Sequence, residues 1–115
     1  MAGEKVYVID RIITEPGCGK KFVDAYTTEY VPAAQRRGMT LASVLVSPPL
    51  WVEDETNIVT ITWTVEGTSG WWNMTRQGRA DPESSQWWER HSALIVERSR
   101  TMAAEAADIE GLSDV

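Results

Sequence analysis

The chain has 115 residues, 43% hydrophobic and 24% charged, values that fit one globular domain and exclude a wholly disordered chain. Its net charge is −6, but Glu105, Asp108, Glu110 and Asp114 all fall in the last thirteen residues, so the body is only mildly acidic. The short basic run Arg36-Arg37 is too small to grip a phosphate backbone, no apolar run approaches the roughly 20 residues of a membrane span, and the N-terminus shows no signal-type block. No nucleic-acid or membrane partner is therefore expected, and the expected location is cytoplasmic.

From Val6 to Ile13 the run is β-branched and apolar on both alternating faces, as in a strand covered on two sides. Pro16 and Gly17 break it, and Phe22, Ala25, Tyr26, Glu29 and Tyr30 then recur at helical spacing up to Gly38, with a distortion expected at Pro32. Thr40 to Ser47 and Ile58 to Val65 read as an antiparallel hairpin, expected to be irregular at Pro48 and Pro49, which lack backbone donors. Ser69 caps a helix carrying Trp71, Met74 and Gly78. Asp81-Pro82 starts a second helical piece running to about Leu94, and Ile95 to Met102 reads as the fourth strand. Residues 1–103 form the predicted domain, and 104–115 an acidic, frayed tail.

The order β-α-β-β-α-β predicts an α+β, ferredoxin-like fold, with a four-stranded antiparallel sheet and both helices on one face. Apolar residues on both faces of the first three strands imply that a second copy covers the bare face, giving a homodimer. Trp71 with Arg76 and Arg79, then Asp81-Pro82, then Trp87-Trp88 and a helix leading into Ile95, resemble the NIPSNAP-like branch of the dimeric α/β-barrel superfamily. The Pro-Gly turn after the first strand and the Gly ending the first helix extend this resemblance over residues 5 to 103. It implies a dimeric α/β barrel enclosing a small-molecule pocket. No catalytic signature comes with it, because the superfamily uses one architecture for several chemistries.

His91 is the one histidine and the natural general acid or base, although the same ring could simply pack against Trp88 and Leu94. Asp10 and Arg11 interrupt an apolar strand and point to opposite faces, so one of them enters the layer beneath the helices, as a proton-transfer group or as half of an ion pair. Tyr30 and Arg76 are candidates to stabilise an oxyanion, with Glu29 as an alternative base. Tyr26, Trp63, Trp71, Trp72, Met74, Trp87 and Trp88 are the candidate substrate-binding residues, because six tryptophans exceed what one small core readily absorbs. The single Cys18 and single His91 offer no metal site, and Gly17-Cys18-Gly19 lacks a nucleotide-binding pattern, so no cofactor is expected.

Three functions fit this reading. The first is a cofactor-independent lyase, isomerase, cyclase or monooxygenase acting on a hydrophobic aromatic or polycyclic molecule. The second is a dimeric binding or accessory protein without catalysis. Haem binding ranks third: the first strand lacks the Asn that haem-degrading relatives place there, and only Trp87 or Trp88 with His91 matches their pattern.

Overall fold

A computed structural model describes residues 5–67, 69, 70, 72, 73, 76 and 82–110. Four strands, β1 (Lys5–Thr14), β2 (Thr40–Ser47), β3 (Ile58–Glu66) and β4 (Ile95–Ala104), form one antiparallel sheet in the order β2-β3-β1-β4. The first helical region comprises α1 (Gly19–Ala25), a π turn (Tyr26–Tyr30) and α2 (Val31–Arg36). A later helix, α3 (Pro82–Arg90), is followed by a 3-10 turn (Ser92–Leu94) that leads into β4. The sheet order is the one expected of a ferredoxin-like α+β fold. Strand β4 runs on to Ala104, and a 3-10 turn at Ala106–Asp108 follows it, so regular structure continues past the predicted boundary at 103.

Alternation along β1 and β3 sets the core. Val8, Asp10, Ile12 and Thr14 on β1, and Val59, Ile61, Trp63 and Val65 on β3, are buried beneath the helices with Phe22, Tyr26, Tyr30, Ala34, Trp87 and Trp88. The intervening β1 residues Tyr7, Ile9 and Ile13 lie on the other face and are half-buried, and Arg11 there is exposed. On β3 that second face carries Thr60, Thr62 and Thr64 behind Ile58, so it is less apolar than the sequence pattern suggested.

The helix distortion falls just before Pro32. Pro32 has no N–H and its ring crowds the carbonyl four residues back, so the ladder slips and the Val31 N–H bonds the Tyr26 carbonyl five residues away. The hydroxyls of Thr27 and Thr28 in this turn donate to the Val23 and Asp24 carbonyls, both at 2.8 Å. The helix ends at Gly38 in a Schellman motif. The Met39 N–H bonds Ala34 O at 3.2 Å and the Gly38 N–H bonds Gln35 O at 3.0 Å, with Gly38 at φ 89°.

The hairpin irregularity lies elsewhere than expected. The β2/β3 register shifts between Leu41 and Ser43, whereas Pro48 and Pro49 lie beyond the last β2 pair at Ser47. Residues without backbone donors end this strand instead of bulging it. The connection is held from inside by Asn57, whose Nδ2 donates to Leu50 O at 2.9 Å and Pro48 O at 3.4 Å. Asn57 packs so closely on the start of α1 that a Cβ at residue 19 would overlap its side chain, which explains glycine there.

Candidate functional site

Helix spacing and sheet alternation together bring six aromatic rings into one layer. Phe22, Tyr26 and Tyr30 descend from the first helical region at intervals of four and interleave with Trp87 and Trp88 of α3 above Trp63 of β3. Tyr26 and Tyr30 stack with centroids 4.8 Å apart, and Trp87 meets Trp88 edge-on at 5.0 Å. Trp63 is fully buried, and its Nε1 donates to Tyr26 Oη at 2.8 Å. Trp63 and Trp88 therefore fill the space between sheet and helices. Trp72, which lies on a helical stretch, is exposed, as is Arg76; Trp71 and Met74 lie outside the described residues.

Two of the proposed acid–base residues have structural partners. Asp10 points beneath the helices, and its carboxylate accepts a two-pronged bond from Arg100 on β4, Nε to Oδ1 at 2.7 Å and Nη2 to Oδ2 at 2.9 Å. His91 follows α3, with its Nδ1 2.8 Å from Trp87 O and its ring stacked on the Trp87 indole at 4.2 Å. A carbonyl oxygen only accepts, so in the neutral ring Nδ1 carries the proton and Nε2, 3.6 Å from Glu29 Oε1, bears the lone pair. The same Glu29 oxygen accepts from Trp87 Nε1 at 3.0 Å.

Tyr30 differs. It lies in a cleft of about 170 Å³ between the π turn and α3, lined also by Glu29, Arg37, Ser84, Trp87 and Arg90. Arg37 Nη2 donates to Tyr30 Oη at 3.3 Å. Burial pushes the Tyr30 phenol up, but the Arg100 and Arg37 guanidinium charges, with hydrogen bonds from Ser84 and Trp88, outweigh it and hold the phenol below its ordinary range. Its stacking partner Tyr26 is driven the other way, far above the ordinary range, by burial first and then by the Asp10 carboxylate. The two stacked phenols are thus pushed in opposite directions by their surroundings.

The sequence singled out Tyr30 but not the residues that act on it. Arg37 read as part of a short basic run, and Ser84 and Arg100 gave no local signal. Among the described residues no cluster of three His, Cys, Asp or Glu side chains could hold a metal ion, and no helix is long and apolar enough to cross a membrane.

The class defined by these elements is the ferredoxin-like α+β sandwich of one sheet and one helical layer. Within it, the chain has the NIPSNAP fold. An uncharacterised NIPSNAP domain protein from Burkholderia xenovorans superposes with a TM-score of 0.70 at 14% identity, over 89% of this chain and 95% of that one. A NIPSNAP family protein of unknown function from Agrobacterium tumefaciens gives 0.68 at 13% identity, over 89% and 88%. A second Agrobacterium tumefaciens NIPSNAP family protein gives 0.68 at 11%, over 89% and 86%. At such identities the likeness is one of fold. No family description matches the sequence, and neither does any curated protein.

Proposed function

We propose that this chain is a cofactor-independent proton-transfer enzyme of the isomerase or cyclase type, acting on a small carbonyl compound in the Tyr30 cleft. The observation that carries the reading is the setting of Tyr30: a buried phenol lining a cleft, with the Arg37 guanidinium donating to its oxygen and its pKa held below the ordinary range. As phenolate, Tyr30 takes a proton from the carbon next to the substrate carbonyl. This leaves a neutral phenol and an enolate, and the proton returns at a second position. Arg90 on the rim supplies positive charge for the enolate oxygen, and Trp87 gives the substrate a flat wall. The cleft volume favours a one-ring or short-chain compound over a polycyclic one.

The test is α-hydrogen exchange into D2O, followed by proton NMR over a panel of small aryl ketones and keto acids. The proposal expects Tyr30→Phe to slow exchange by about 10² to 10⁴-fold with fold and ligand affinity retained. If wild type exchanges nothing on the panel yet binds its members in the cleft, the non-catalytic binding reading replaces this one. The structural engagement of Asp10 and His91 favours that second reading. We also propose that the chain works as a homodimer through the open sheet face. Tyr7, Ile9 and Ile13 lie there without a helix layer, and on the same face Leu45 of β2, across Thr60 from β1, is 62% exposed.

A further inference from the structure

Helix α3 ends at Arg90, and His91 follows it one turn after Trp87. The Trp87 carbonyl accepts twice from that residue, from its backbone N–H at 3.2 Å and from Nδ1 at 2.8 Å. These bonds hold the imidazole against the Trp87 indole and leave Nε2 as the nitrogen that gains or loses a proton. Nε2 faces Glu29 Oε1 at 3.6 Å, too far for a hydrogen bond and close enough for an ion pair. In the neutral ring a lone pair faces a carboxylate oxygen. A proton on Nε2 turns that contact into attraction, and the C-terminal end of α3 favours the same positive charge.

Glu29 lines the Tyr30 cleft, whereas His91 stands behind Trp87 and does not. The Glu29 side chain is 51% exposed and that of His91 17%, so a proton taken up behind the wall offsets the charge of a group on it. The charged groups on the elements around the ring are Glu29 on the π turn, Glu89 and Arg90 at the end of α3, Lys20, Lys21 and Asp24 on α1, and Glu15 in the turn before α1, whose N–H bonds Leu94 O at 2.8 Å. Lys20 is paired with Asp24 at 2.6 Å, and among the described residues only Glu29 places a carboxylate against the imidazole. We propose that His91 and Glu29 form a proton-operated charge pair on the cleft wall, which admits small aryl carboxylates when Nε2 is protonated and disfavours them when it is not. The protonated pair is neutral in sum, while the neutral ring leaves the wall with the full carboxylate charge. Arg37 and Arg90 line the same cleft, so an anionic ligand meets positive charge once that of Glu29 is offset. The choice of ligand rests on the reading of this cleft as the ligand site; the proton linkage between the two residues does not.

His91 is the one histidine, so its ring protons give a single titration curve by NMR. Glu29→Gln removes the charge and keeps an oxygen for Trp87 Nε1. It is expected to move the His91 midpoint to lower pH by about half a unit, a roughly threefold weaker hold on the proton, as suits a partly exposed pair. Nitrogen-15 shifts at high pH should place the proton of the neutral ring on Nδ1. Benzoate is the ligand probe and benzamide its uncharged control. Benzoate should bind at least about threefold more tightly at about pH 5.5 than at about pH 8, and benzamide equally at both. His91→Gln should abolish the difference. An unmoved or raised midpoint in Glu29→Gln, a neutral ring protonated on Nε2, or benzoate binding that is absent or independent of pH overturns the proposal. Circular dichroism confirms the fold of each variant; should His91→Gln fail to fold, Glu29→Gln decides the question through the midpoint. Absence of α-hydrogen exchange in wild type would refute the enzyme reading and leave these results intact.

Discussion

Trp63→Phe asks whether the central indole is structure or pocket wall. Trp63 is fully buried on β3 and donates to Tyr26 Oη at 2.8 Å, and Tyr26 is equally buried. Shortening the ring leaves a void of about 40 Å³, which costs about 1 kcal/mol at roughly 24 cal/mol per Å³. Depriving a buried phenol oxygen of its donor adds about 1–2 kcal/mol. The expected loss is therefore about 2–3 kcal/mol, with little change in transfer free energy because the indole N–H offsets the larger apolar area. Urea unfolding followed by far-ultraviolet circular dichroism reads this as a midpoint lower by about 1–2 M. A cycle with Tyr26→Phe should return a coupling of about 1 kcal/mol. Ligand affinity in the Tyr30 cleft should not change. A loss below about 1 kcal/mol with no coupling, or a large drop in ligand affinity, would refute the assignment of Trp63 to the core.

Two further outcomes follow from the same geometry. The Tyr30 phenol is lowered from its ordinary 10.0, so it adds stability above its folded midpoint and up to about pH 10; Tyr26 is raised, so its contribution holds below pH 10 and declines above it. Unfolding free energy measured against pH should rise gently towards pH 10 and then fall, with Tyr30→Phe abolishing the rise and Tyr26→Phe the fall. Under the proposed homodimer, Ile9→Lys places a charge on the open sheet face without touching the helix-side core, so light scattering should show a wild-type dimer and a monomeric variant while circular dichroism is unchanged; a monomeric wild type, or a variant that dimerises equally well, would refute association through this face.

Much of the fold was legible in the sequence. Alternating apolar residues, Pro16-Gly17, Gly38 and Pro82 carry enough local chemistry to place each strand and both helical regions, and β2 spans the predicted residues. The slip before Pro32 was visible as a missing donor. Local pattern could not say which of the adjacent residues Asp10 and Arg11 turns inward, because a period of two fixes alternation but not its phase relative to the helices. Nor could it pair Asp10 with Arg100, 90 positions apart, or Trp63 with Tyr26, 37 apart. Those partners are chosen by strand register and by how α3 lies across the sheet. The sequence by itself therefore determined the order of the elements and the supply of aromatic and charged side chains. Only the tertiary structure decided that Trp63 fills the core, that Asp10 and His91 are engaged, and that Tyr30 lines a cleft beside Arg37, because burial and hydrogen-bond partners are properties of surfaces brought together from distant parts of the chain.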